Sequence, residues 1–238
     1  MLAELIRTNQ PCVALTGAGV STESGIPDFR SAGGIWAQYD PYEVASIDGF
    51  QRAPECVWEF YGRRLAQLAD ARPNAAHVAL AQLEHAGLVR AVVTQNVDGL
   101  HQRAGSRDVV EVHGAIGAAV CLACGRHEED VRPLLPLPRC ARCGAILKPD
   151  VVMFGELLPA PAIDRATGLA REAALLLVVG TSLQVWPVAG LPGETLSAGG
   201  RLAIVNLEPT PFDKHAEIVA RGSAGEVLAA CGARPPSA

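Results

Sequence analysis

Residues 94–114 read TQNVDGLHQRAGSRDVVEVHG. An apolar run at 90–94 leads into this stretch, and its exit carries Gln95, Asn96 and Asp98. A second short run, 109–112, ends on His113-Gly114. Polar residues just beyond the carboxyl ends of apolar strands are where open α/β sheets hold their ligands. A histidine in such a place can exchange a proton near neutral pH, because an unperturbed imidazole has a pKa of about 6.5. Taken alone, His113 fits a solvated strand-end histidine equally well, so the rest of the chain has to decide.

Outward from this stretch the chain holds six β-rich runs, at 12–16, 90–94, 109–112, 175–179, 202–205 and 217–220. Most are continuously apolar rather than alternating, as strands covered on both faces are. Helix-length segments at 74–86 and 160–172 stand between them. Strand–helix alternation of this kind specifies an α/β fold with a doubly wound parallel sheet. Two segments interrupt it. Residues 40–72 read as helical, with Trp58, Leu65 and Leu68 among the apolar positions, and residues 121–143 are rich in Cys, Gly and Pro. The end, GARPPSA at 232–238, reads as a frayed tail.

A chain of 238 residues fits one large domain, or a domain with a small module. Its 49% hydrophobic and 19% charged residues are ordinary for a globular protein and argue against disorder. A net charge of −5 supplies no general attraction to nucleic acid or to anionic membranes. The opening MLAELIRTNQPC lacks the apolar core of a secretion signal. The longest apolar run, 173–179, is far short of the ~20 residues that cross a bilayer. Seven cysteines, an odd number, do not suit a secreted disulfide framework. The expectation is a cytoplasmic protein that binds neither nucleic acid nor membrane.

The run at 12–16 opens into Gly17-Ala18-Gly19-Val20-Ser21-Thr22. Small residues after a strand let backbone N–H groups approach a pyrophosphate. The dinucleotide fingerprint G-x-G-x-x-G is nevertheless broken, because Thr22 stands in place of its third glycine. Phe29 and Arg30, set among Pro and Gly, suggest a loop that closes over something planar and anionic. Farther on, Cys121, Cys124, Cys140 and Cys143 form C-x2-C-x15-C-x2-C. Two such knuckles suit a tetrahedral Zn2+ held by four thiolates, with a redox pair or an iron–sulfur cluster as the other chemistries. Four protein ligands leave no open position, so such a zinc is structural. Cys12, Cys56 and Cys231 lie among apolar residues and are expected to be buried, inert thiols.

Together, GAGVSTESGIPDFRSAGGIW, TQNVDGLHQRAG, EVHG, the paired CxxC, KPDVVMFGE, VVGTSLQVWPVAG and IVNLEPTPFD closely resemble the sirtuin family, in that family's order and over nearly the whole chain. The resemblance implies an NAD-dependent protein lysine deacylase that releases nicotinamide and O-acyl-ADP-ribose. It also implies a Rossmann-like NAD-binding domain (1–36, 75–116 and 151–238) with a small domain made of a helical insertion (37–74) and a zinc-ribbon module (117–150). Gly17, Ala18, Gly19 and Thr22 would line the NAD phosphates and ribose, with Phe29 and Arg30 on the closing loop. Gln95 and Asn96 would face the nicotinamide ribose, Asp98 the carboxamide. Gly180, Thr181, Ser182, Asn206 and Ala224 match the adenosine side. Val151, Phe154, Gly155 and Glu156 match the segment that takes the substrate peptide as an added strand. His113 would be the general base, with Asn96 beside it as the second catalytic residue.

The resemblance reaches the acyl group as well. Tyr61 and Arg64 stand three apart on the expected helix and so share a face. They match the Tyr-x-x-Arg motif of the class that removes succinyl and malonyl groups, in which the pair holds a carboxylate. Ala45 matches that class's small pocket residue. The class carries Thr and Trp where this chain has Asp28 and Met153, which look like the deacetylase type. Removal of acidic acyl groups together with acetyl groups is therefore expected. Plain deacetylation and mono-ADP-ribosyl transfer remain as alternatives that use the same NAD site.

Overall fold

The structure, a computed structural model, describes residues 1–129, 131 and 137–232. From residue 233 onward the expected tail lies outside them. The described chain runs α1 (Leu2–Thr8), β1 (Cys12–Thr16), α2 (Pro41–Val44), α3 (Ile47–Arg52), α4 (Pro54–Asp70), α5 (Ala75–His85), β2 (Ala91–Thr94), α6 (Leu100–Arg103), β3 (Val109–Glu111), β4 (Gly114–Val120), β5 (His127–Glu128), β6 (Lys148–Val151), α7 (Ala160–Glu172), β7 (Leu175–Val179), α8 (Leu191–Ser197), β8 (Arg201–Val205), β9 (Ile218–Ala220) and α9 (Ala224–Gly232). A 3-10 helix, Ala18–Ser24, follows β1.

Six strands form one sheet in the order β3-β2-β1-β7-β8-β9, and every pairing in it is parallel. These are the six runs seen in the sequence, with ends displaced by a residue at most. The reason for their continuous apolar character is visible in the packing. Successive side chains of a strand point to opposite faces. Cys12 and Ala14 of β1, with Leu175, Leu177 and Val179 of β7, enter one core. Val13 and Leu15, with Leu176 and Val178, enter the other. Both faces are covered, the first by α1, α5 and α9 and the second by α7 and α8. A parallel sheet clad on both sides is the doubly wound architecture.

The strand order reverses between β1 and β7, since β2 and β3 lie to one side and β8 and β9 to the other. A crevice at the carboxyl ends of the strands is expected at such a switch point. A separate antiparallel sheet, β5-β4-β6, packs with helices α2–α4 in a third core. Val57, Trp58, Phe60 and Tyr61 of α4 meet Cys121, Cys140, Leu147 and Met153 there. The Trp58 indole N–H donates to the Leu147 carbonyl at 2.8 Å, so the ring is buried without an orphaned donor. The helical stretch at 40–72 thus divides into three helices, broken at Ser46 and Ala53.

One expectation about the thiols is wrong. Cys12 and Cys231 are buried, and burial pushes the Cys12 thiol up to about 12, but Cys56 is exposed. Val57 and Trp58 follow it, but Glu55 precedes it, and Cys56 lies in the first turn of α4 at the margin of the buried stripe, one turn before Phe60. Helix periodicity, not local composition, decides which side chain faces the core. Among the described residues, no helix is long and apolar enough to cross a membrane.

Candidate active site

The loops that leave the carboxyl ends of β1, β2, β3, β7 and β8 converge on one cavity of about 810 Å³, closed on its other side by α4 and the segment after β6. That volume suits a large ligand, since small-molecule sites run from roughly 300 to 1,000 Å³. Apart from the four cysteines, every residue given a place in the site by the sequence lines it. The β1 exit supplies Gly17, Ala18, Gly19 and Thr22, and the loop beyond it Phe29 and Arg30. From β2 come Gln95, Asn96 and Asp98, and from the end of β3 comes His113. Gly180, Thr181 and Ser182 follow β7, Asn206 follows β8, and Ala224 starts α9. The helical side contributes Ala45, Tyr61 and Arg64, the end of β6 contributes Val151, and the segment after it contributes Phe154, Gly155 and Glu156.

At the switch point the backbones of two strand exits touch. The Gly17 N–H donates to the Val179 carbonyl at 3.2 Å, and the Gly19 N–H donates to the Gly180 carbonyl at 2.8 Å. Gly180 has φ +61°, and a Cβ added there would lie 2.3 Å from the Val20 nitrogen. Only glycine permits that approach. The result is a side-chain-free cradle of backbone at the sheet edge, which fits the phosphates of a dinucleotide.

Behind the cradle, polar side chains are fixed by one another. The Asn96 amide donates to the Gly17 carbonyl at 3.2 Å and to Ser21 Oγ at 3.1 Å, and Ser21 Oγ in turn donates to Asp98 Oδ2 at 2.7 Å. Asn96 is 8% exposed, so its partners are preset rather than found on binding. Gln95 donates to Thr181 Oγ1 at 2.9 Å and ties the β2 exit to the β7 exit. Ser21 lies inside a motif quoted from the sequence, yet nothing in its type or spacing marks it as the link between Asn96 and Asp98.

His113 sits between β3 and β4. Its Nδ1 lies 3.0 Å from the Gln95 carbonyl, and its own carbonyl accepts from Val152 N–H at 2.9 Å. The next residue must be glycine, because Gly114 has φ +76° and an added Cβ would lie 2.3 Å from the Asp150 carbonyl oxygen. Burial pushes the His113 pKa below its ordinary value, opposed by the bond to Gln95. The imidazole is therefore neutral near pH 7, with Nδ1 donating and Nε2 free to accept a proton.

On the opposite wall, Tyr61 and Arg64 project from one face of α4, each 8% exposed. The Arg64 guanidinium carbon lies 5.4 Å over the Phe29 ring. Arg64 Nη1 is buried with no hydrogen-bond partner among the described residues. A buried charged donor without a partner is costly, which suits a site built to receive an anion. Burial lowers the Arg64 pKa and raises that of Tyr61, and neither shift changes its charge at neutral pH. Trp36, Ile116, Val152 and Trp186 also line the cavity and were not singled out beforehand. Trp36 and Trp186 stand inside quoted motifs, but only the fold brings half-buried Trp36 and exposed Trp186 to the cavity.

The four cysteines lie apart from this cavity. Their sulfurs all fall within 4.8 Å of one another, with Cys121–Cys143 at 3.4 Å, Cys124–Cys140 at 3.6 Å and Cys124–Cys143 at 3.8 Å. A tetrahedron with Zn–S of about 2.3 Å places its sulfurs roughly 3.8 Å apart. None of the four is in a disulfide. The set fits a structural zinc, and Cys121 and Cys140 enter the core shared with α4.

Residues 17–187 match the model of the Sir2 family. The "NAD-dependent protein deacylase 2" of Pyrobaculum aerophilum is 47% identical over 233 residues, which is 95% of this chain and 92% of that protein. A solved Sir2 homolog–NAD complex is 42% identical with a TM-score of 0.92, covering 97% of this chain and 91% of that one. A Sir2–p53 peptide–NAD+ complex is 42% identical with a TM-score of 0.87, covering 95% and 94%. With most of its length inside the family model and a relative at this identity over nearly the full chain, the protein belongs to the Sir2 family.

Proposed function

We propose that the protein uses NAD to remove acyl groups from lysine side chains of other proteins in the cytoplasm, and that it accepts succinyl and malonyl as well as acetyl groups. The observation that carries the acyl assignment is Arg64, almost wholly buried with Nη1 unpaired, beside Tyr61 in the cavity that holds His113. An acyl carboxylate would give that guanidinium its missing charge-assisted hydrogen bond, with the Tyr61 hydroxyl as a second donor. Ala45 is small and leaves room beside the pair.

Gly17, Gly19 and Gly180 hold the dinucleotide phosphates on their exposed backbone, while Gln95 and Asn96 face the nicotinamide ribose and Asp98 the carboxamide. NAD supplies a ribose carbon that receives the acyl oxygen as nicotinamide departs. His113 accepts a ribose hydroxyl proton on Nε2, its ring held by the bond to Gln95. Phe29 covers the site and keeps water out until the acyl group has moved. In this reading, the six-stranded sheet with its loops is the NAD-binding domain, and 37–74 with 117–150 form the small domain that holds the acyl end.

The test is mass spectrometry of acetyl-, malonyl- and succinyl-lysine peptides incubated with the protein and NAD. The reading expects all three to lose their acyl group with release of nicotinamide. Removal of acetyl alone would leave a plain deacetylase, and ADP-ribose attached to protein would indicate a transferase instead.

A further inference from the structure

The segment at 148–156, KPDVVMFGE, carries an ion pair that none of the roles above uses. Lys148 is 3% exposed. Its Nζ donates to the Pro149 carbonyl at 2.9 Å and the Val151 carbonyl at 2.8 Å, and lies 3.0 Å from Glu156 Oε2. An ammonium has three N–H donors, and all three are engaged. The same Glu156 oxygen accepts from the Met153 N–H at 2.9 Å. The pair therefore joins the first and last residues of the segment and pins the backbone between them at three points.

A buried ion pair is weak evidence for stability, because desolvation of both ions offsets their attraction; a fixed conformation is the better-attested return. What this one fixes is the mouth of the cavity. Phe154 spends its N–H on the Ala45 carbonyl and its carbonyl on the Ile47 N–H, and Val152 spends its N–H on His113. Past them, the Gly155 and Leu157 N–H groups donate to no backbone partner among the described residues, and Leu157 is 95% exposed. Gly155 turns with φ +90°, and Glu156 N–H closes that turn on the Met153 carbonyl at 3.0 Å, so the first unpaired N–H groups for an incoming peptide lie at a turn one residue beyond Phe154 that directly flanks Glu156.

We infer that Lys148 and Glu156 are positioning residues for the acyl-lysine peptide. Through the pair, the free backbone of Gly155 and Leu157 is held in register with the cavity, so the pair governs peptide binding and not NAD binding or proton transfer. This inference rests on the deacylase reading, in which the peptide docks as an added strand beside the segment that this turn ends.

Steady-state kinetics of Glu156→Gln, Lys148→Met and Lys148→Arg, with calorimetry of ADP-ribose binding, test it. The first two variants are expected to raise the peptide KM about tenfold, with kcat, the NAD KM and ADP-ribose affinity within about twofold of wild type. Lys148→Arg, which keeps the charge, is expected to recover most of the loss. An unchanged peptide KM in both charge-removing variants overturns the inference, and so does a joint loss of kcat and ADP-ribose binding, which would mark a general structural role. Wild-type protein that turns over no acyl-lysine peptide would instead sink the deacylase reading itself.

Discussion

The Nδ1 atom of His113 lies 3.0 Å from the backbone carbonyl oxygen of Gln95, the residue that also reaches across to Thr181. That contact assigns the proton to Nδ1 and the lone pair to Nε2, and it couples the orientation of the ring to the strand exit that forms the site's floor.

Replacing His113 by Ala removes the base and leaves the cradle of Gly17, Gly19 and Gly180 intact. Deacylation is expected to fall by about 10²–10⁴-fold, the usual contribution of a positioned base. ADP-ribose binding by calorimetry should stay close to wild type. Near-normal turnover in this variant would remove His113 from the mechanism.

Burial holds the His113 pKa below its ordinary 6.5. The neutral ring is the base, so activity is present above the lowered pKa and is lost as pH falls through it. The acid limb of kcat/KM is expected to have its midpoint below 6.5 and to disappear in the residual rate of His113→Ala. A midpoint clearly above 6.5 would mean that another group titrates.

Arg64→Met keeps the bulk of the side chain and discards its charge. A charge-assisted hydrogen bond contributes about 1.5–3 kcal/mol, so kcat/KM for a succinyl-lysine peptide should drop roughly 10- to 150-fold. For an acetyl-lysine peptide the change should stay within about threefold. Equal losses on both peptides would count against an acyl-carboxylate site.

His101 is 1% exposed, with Nε2 2.9 Å from Thr16 Oγ1, and burial holds its pKa at about 3. An unfolded histidine titrates near 6.5, so below that value the unfolded state binds more protons than the folded one. This group's share of stability is complete above about pH 6.5 and falls by about 1.4 kcal/mol per pH unit toward pH 3. Urea unfolding at neutral and mildly acid pH should show the decline, and His101→Asn should make it shallower. A variant with an unchanged slope would place the titration elsewhere.

Cys140→Ser is expected to cost stability and zinc together, since one ligand of the closed set is gone. Each 1 kcal/mol lost would lower Tm by roughly 2–4 °C in a chain of this size. Metal analysis should find equimolar zinc in the wild type and little in the variant. Full zinc content at an unchanged Tm would contradict a four-cysteine site.

Much of the sheet could be read directly from the chain. Runs such as 12–16 and 175–179 are apolar at every position because both faces of the parallel sheet are covered, and that is a local signal. The cysteine quartet is equally local, since its spacing sets the geometry of each knuckle. The polar residues after each strand could be found in the same way, because a strand's direction puts its exit at the ligand edge.

Other features depended on contacts between distant parts of the chain. Cys56 is followed by Val57 and Trp58 yet is exposed, because it stands at the margin of the α4 stripe that packs against the sheet β5-β4-β6. Ser21 became the link between Asn96 and Asp98 only when β1 and β2 lay side by side. The backbone of Phe154 was already committed to Ala45 and Ile47, which leaves the first unpaired N–H to the turn at Gly155.

The sequence by itself determined the parallel sheet, the residues at its carboxyl edge and the cysteine quartet, because each is written in a short stretch of chain. That Tyr61 and Arg64 face the same cavity as His113, with one guanidinium nitrogen left unpaired, was decided only by the tertiary structure. Helical spacing says that two side chains share a face, but only packing against residues far away in sequence says what that face meets.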